Sequence, residues 1–268
     1  MDKFRFTLVF IIGFIVYYYI DLNFFSILQK EITSFFQINA LGHILAFIIT
    51  LIPLIVTVLI LHKSSQNILE KFGIATGLYI GIAFAFLCTL PMLIGYALKF
   101  NLNMSLSIDT IIIKTISAAF FEEFIYRAFL FGQLYRFTRL GFLPSLVLSS
   151  SLFAIGHLYQ STNLNELAGI FAVTFLGSVL FSWIYAEWKF NLWTAIFLHC
   201  LMNLYWLIFE VDDNSLGGIY SNIFRFLTIL ISILGTIIFK RKMKTPFEIT
   251  KRTWWIKPKI CLIVNHRD

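Results

Sequence analysis

Long runs of apolar residues recur along the whole chain, and no other feature restricts its fold as strongly. The runs fall at 4–20, 40–61, 74–98, 110–131, 142–159, 167–186, 192–209 and 219–239. A helix of roughly 17 to 25 residues spans the hydrocarbon core of a bilayer. Within that core only elements that pair all their own backbone groups persist. The runs therefore predict an all-α, polytopic membrane protein with about eight transmembrane helices. Of the 268 residues, 59% are hydrophobic and only 13% charged, against about 25% charged in an ordinary soluble domain. The connections leave no room for a separate soluble domain, so the expected division is a transmembrane body, 1–240, and a basic tail, 241–268.

The basic residues set an orientation. Lys3, Arg5, Lys63, Lys71, Arg136, Arg139, Lys189 and nine from Lys240 onward share one side, sixteen in all; Lys30 and Lys99 lie in the opposite connections. Both termini are expected in the cytoplasm. The net charge of +7 sits in the tail, so membrane surface, and not nucleic acid, is its expected partner. A surface-lying tail carrying Trp254, Trp255 and the apolar stretch from Ile260 to Val264 fits that reading. The first run is expected to be retained, because Tyr17-Tyr18-Tyr19-Ile20-Asp21 offers no small-residue cleavage site. Cys88, Cys200 and Cys261 lack metal-type or paired spacing and read as small apolar fillers and one tail thiol.

Against this background one stretch stands out. Glu122, Glu123 and Arg127 lie within the apolar run 110–131, where each charge costs at least ~2.5 kcal/mol and needs a partner or a function. On an α-helix Glu123 and Arg127 are four apart with the acid first, the favoured order for an ion pair. They are expected to neutralise each other as a structural pair. Glu122, about 100° round the helix, has no partner of its own there. An unpaired carboxylate in low dielectric is a candidate general base.

Two further helices offer groups to complete a site: Phe153 and His157 in one, His199 and Asn203, four apart, in the other. His43 has no polar neighbour in register and reads as a packing residue. No His-Glu-x-x-His zinc helix is present, no pair of intramembrane aspartates, and no intramembrane Asp or Lys placed to serve a serine nucleophile. Water activation remains. Glu122 and His157 would orient and deprotonate water, and His199 and Asn203 would donate to the oxyanion, one such donor being worth ~3 kcal/mol of barrier. A divalent metal such as zinc, held by Glu122, His157 and His199, is the alternative. It would leave Glu123 as base despite its pairing with Arg127, so no metal or other cofactor is favoured.

The ordered trio resembles the CAAX-protease and bacteriocin-processing family of intramembrane endopeptidases. That family shows Glu-Glu-x-x-x-Arg, Phe-x-x-x-His and His-x-x-x-Asn in this order, matched here by Glu122-Glu123…Arg127, Phe153…His157 and His199…Asn203. The resemblance covers roughly 112–205. Tyr126 and Ala128 stand where the family often has Phe and Gly. It implies peptide-bond hydrolysis with Glu122, His157, His199 and Asn203 as catalytic residues and Glu123 and Arg127 in support. It also implies a membrane-associated peptide or protein substrate, and carries no particular one.

The expected setting, from composition alone, is a bacterial inner membrane, with cleavage near the cytoplasmic leaflet. A proton-coupled transporter using Glu122 and the histidines, or a non-catalytic bacteriocin-immunity or scaffold protein, are the alternatives. Upright helices pose one difficulty. At ~1.5 Å per residue Glu122 and His157 would lie ~20 Å from the cytoplasmic ends of their runs and His199 only ~10 Å, and the site would not assemble.

Overall fold

A computed structural model describes residues 3–63 and 65–258; Cys261 and the stretch from Ile260 to Val264 lie outside the described residues. Among those residues the chain is all-α, with one isolated bridge between Leu140 and Ile256. Helix α1 is Lys3–Phe36, α2 Asn39–Thr50, α3 Ile52–His62, α4 the short Ile68–Phe72, and α5 Leu78–Lys99. Residues 108–137 form one continuous helix, α6. The remaining long helices are α7 (Phe142–Ile155), α8 (Leu164–Glu187), α9 (Leu192–Ile208) and α10 (Ile219–Lys242).

Among the described residues six stretches are long and apolar enough to cross a membrane: Phe4–Phe36, Asn39–His62, Leu78–Lys99, Phe142–Gln160, Leu164–Glu187 and Ile219–Lys242. The other two expected spans fall on α9, which is only 17 residues long, and on α6, which carries Asp109, Lys114, Glu122, Glu123, Arg127 and Arg136.

α1 continues to Phe36, through a region where the polar residues from Asp21 onward suggest a connection. Nothing there stops a helix. Residues 22–36 contain no Gly or Pro, and the Asp21 carboxylate accepts a hydrogen bond from Thr50 Oγ1 at 3.0 Å. α2 lies directly against this extension; a Cβ on Gly42 would stand 2.0 Å from Thr33 Oγ1.

α6 is the centre of the bundle. From Phe124 to Tyr135 nearly every side chain is buried, as expected of a helix surrounded on all faces. Its phenylalanines meet α1, α2 and α4 ring to ring: Phe129 with Phe10 at 5.0 Å, Phe121 with Phe47 at 4.6 Å and Phe124 with Phe72 at 4.3 Å between centroids. In a bilayer lipid tails are as apolar as these rings, so close contact and interhelical hydrogen bonds hold the helices together more than burial from water does.

At the end of the bundle that holds most lysines and arginines, irregular backbone packs tightly. Arg136 donates to the carbonyls of Glu70 and Lys71. Buried Lys257 donates to the Tyr135 carbonyl at 2.9 Å. Glu187 accepts from Lys240 and from the backbone N–H groups of Glu248 and Ile249. Trp254, Trp255 and Ile256 remain exposed there.

The turn between α8 and α9 is pulled in beneath this cover. Leu192 N–H donates to the Gly73 carbonyl, and Gly73, at φ +78°, passes so close that a Cβ would lie 2.0 Å from the Phe190 carbonyl oxygen. α9 therefore starts inside the bundle and not at its surface.

Candidate active site

α6 does not hold one helical geometry throughout. α-helical turns at Ile108–Ile111, Ala118–Glu122 and Gly132–Phe137 alternate with π-helical stretches at Ile112–Ser117 and Glu123–Phe131. π-helical turns use i→i+5 bonds and recur at functional sites. Glu122 ends an α-helical turn and Glu123 begins the longer π stretch, so the two acids sit on the junction. Neighbouring side chains bond to carbonyls of this altered backbone: Ser149 Oγ donates to Tyr126 O at 2.6 Å, and Asn203 Nδ2 to Lys114 O at 3.2 Å.

The two acids have different surroundings. Glu123 is fully buried, with Oε1 3.0 Å from Arg127 Nη1. The Arg127 guanidinium, also fully buried, lies between the rings of Phe153 at 4.3 Å and Phe181 at 5.2 Å. None of its nitrogens meets hydrogen-bond geometry, so charge and cation–π contact hold it. Glu122 is 27% exposed and faces a cavity of about 880 Å3.

Both histidines turn toward Glu122. His157 lies just beyond the end of α7, in the turn leading to a short 3-10 helix, and not within the helix as expected. Its Nδ1 is 2.8 Å from the Phe153 carbonyl oxygen, which can only accept, so the proton is assigned to Nδ1. Nε2 is then a free lone pair, 3.9 Å from Glu122 Oε2. His199 shows the same spacing: Nδ1 is 2.8 Å from Glu123 Oε1 and Nε2 is 3.9 Å from the same Glu122 oxygen. Its ring stacks on Phe181 at 5.3 Å.

The structure thus brings Glu122, His157 and His199 to one point, with Asn203 lining the same cavity. The depth difficulty disappears because α9 begins well inside the bundle. Phe153 supports the site by touching both Arg127 and His157.

Two features escaped the sequence reading. The first is the Glu123–His199 hydrogen bond. A carboxylate has about four lone-pair sites and Arg127 could not fill them all, which was the available signal. The second is Phe181, which no spacing connects to Arg127. His43 is a satisfied packing residue, with Nδ1 2.9 Å from Ser117 Oγ.

The model of the family described as "Type II CAAX prenyl endopeptidase Rce1-like" matches residues 104–205. Over this segment the chain is similar to that family. The matched segment contains α6, α7, α8 and most of α9, and so Glu122, Glu123, Arg127, Phe153, His157, Phe181, His199 and Asn203. No curated protein and no solved structure matches the chain.

The matched segment has histidines and carboxylates enough to raise the question of a metal. Among the described residues, however, no group of three or more His, Cys, Asp or Glu side chains is placed to hold one. The Glu122, His157 and His199 side chains are not placed as a metal's ligand set in this geometry.

The cavity runs from Glu122 between α8, α9 and α10 to Asn103, Tyr159 and the 210–215 connection. These residues are at the end of the bundle opposite the basic one.

Proposed function

We propose that the protein is an intramembrane endopeptidase in which a glutamate-activated water attacks the peptide carbonyl. One observation carries this reading. Glu122 Oε2 lies 3.9 Å from the Nε2 atoms of both His157 and His199, too far for direct hydrogen bonding and suited to a water between them.

In the proposed reaction Glu122 takes a proton from that water, which His157 Nε2 holds as acceptor. The oxygen attacks the carbonyl carbon, and the carbonyl π electrons move to oxygen. His199, protonated at both nitrogens with Glu123 bracing Nδ1, donates from Nε2 to the oxyanion. One N–H of Asn203 goes to the Lys114 carbonyl, which fixes the amide and leaves its second N–H for the same oxyanion. Such donors are each worth about 3–4 kcal/mol when aimed at developing charge. Collapse of the intermediate breaks the C–N bond, and Glu122 returns its proton to the departing amine. The Glu123–His199 contact works as the carboxylate of a Ser-His-Asp triad does, holding the ring and stabilising its cation.

The substrate is a membrane-associated peptide or protein, in a bilayer we take to be a bacterial inner membrane with both termini cytoplasmic. With the basic end in the cytoplasm, the cavity's path to the 210–215 connection brings the peptide in from the opposite face. This replaces the cytoplasmic-leaflet access expected from the sequence. Comparing membrane peptides from cells carrying the wild-type and Glu122→Gln proteins tests the reading, since cleavage should vanish in the variant at unchanged protein level.

A further inference from the structure

A second arginine lies in the bundle, and the hydrolytic reaction does not use it. Arg225 is on α10, within the first third of a membrane-length helix, and lines the cavity that contains Glu122. Its guanidinium lies over the Trp206 ring at 4.3 Å, which fixes its plane. Nη1 is buried and makes no hydrogen bond.

The contrast with Arg127 is informative, because Arg127 has Glu123 at 3.0 Å whereas no carboxylate forms an ion pair with Arg225 among the described residues. The groups whose charge or hydrogen bonding it feels are Tyr96 and Asp212. Tyr96 donates its hydroxyl to the Ser221 carbonyl and Asp212 accepts from the Asn214 N–H. Asn222, one turn earlier, has its amide N–H groups on the carbonyls of Leu216, Gly217 and Gly218.

Arg225 is only partly buried as a residue, but an arginine within a membrane helix that faces a cavity marks a pathway or ligand site, and a planar guanidinium fork matches a carboxylate. We propose that Arg225 is a carboxylate-binding subsite of the cleavage cavity. It would hold the peptide by its C-terminal carboxylate or by an Asp or Glu side chain, and so set which bond reaches Glu122. The assignment rests on the proteolytic reading for its purpose, but its test does not use hydrolysis.

Full-length Glu122→Gln protein in nanodiscs would be titrated with acetyl-Leu-Leu-Leu as free acid and as amide, and with acetyl-Leu-Glu-Leu amide against its Gln counterpart. The acid of at least one pair should bind about tenfold or more tightly than its neutral partner, and Arg225→Gln should bring that ratio to near one. The pair that responds identifies the terminus or the side chain as the source. Equal binding within both pairs, no binding, or a preference that survives Arg225→Gln would overturn the assignment. Should Arg225→Gln not fold, a diazirine next to the carboxylate of the preferred peptide decides on the parent protein: adducts at Trp206, Asn222 or Phe226 support the subsite, and adducts elsewhere overturn it. Loss of cleavage activity would leave this result standing, so the two readings fail separately.

Discussion

Replacing Glu123 by Gln should separate the two adjacent acids more clearly than any other change. Glu123 Oε1 is 3.0 Å from Arg127 Nη1 and 2.8 Å from His199 Nδ1. The glutamine is nearly isosteric and keeps an acceptor for His199, so packing and one hydrogen bond survive. The negative charge does not. Arg127, fully buried, is left with only the faces of Phe153 and Phe181. Removing one partner of a buried ion pair costs about 3–5 kcal/mol, whereas replacing both by apolar groups is often neutral.

At about 2–4 °C per kcal/mol for a chain of this size class, melting should fall on the order of 10 °C. Glu122→Gln removes a charge that is 27% exposed and has no hydrogen-bonded partner, and should stay within about 0.5 kcal/mol of wild type. Tryptophan-fluorescence melting in one detergent reads both variants, together with Glu123→Gln/Arg127→Met, which should recover most of the loss. Equal melting temperatures for Glu123→Gln and wild type, or an equal drop for Glu122→Gln, would refute the division of roles.

Three other outcomes follow from the geometry. Asn203→Ala should lower kcat by about 10²–10³ while leaving the melting temperature near wild type, as steady-state kinetics and a melt on the same preparation would check. In a background lacking native cysteines, Asp213→Cys at the mouth of the cavity should react with a membrane-impermeant maleimide in intact cells. Labelling confined to inverted vesicles would reverse the assigned side of access. Activity should survive exhaustive chelation, with less than about 0.1 metal per chain by elemental analysis; loss on chelation and recovery with zinc would assign the histidines to a metal after all.

What could be read from the sequence, and what could not, divides along physical lines. Apolar run length exposes the helical membrane bundle because the bilayer imposes both dimension and backbone pairing. The same rule misjudged α1, whose polar half from Asp21 to Phe36 is stabilised by Thr50 and by contact with α2, partners distant in sequence. The Glu123–Arg127 pair was legible because both residues lie on one helix, where spacing fixes geometry. The Glu123–His199 bond and the Phe181 contact join separate helices, so no spacing encodes them. The π-helical stretches of α6 are set by what packs around the helix and leave no mark in composition. Nor could run lengths show that α9 begins inside the bundle, and upright counting therefore put His199 at the wrong depth.

The central claim is that Glu122 is the base for peptide-bond hydrolysis, and a comparison of membrane peptides in cells making equal amounts of wild-type and Glu122→Gln protein tests it most directly. The account predicts discrete cleavage products that are present with wild type, absent with Glu122→Gln, and accompanied by accumulation of the uncut precursor in the variant. Identical peptide profiles in the two strains, or the same products at undiminished level in the variant, would contradict it.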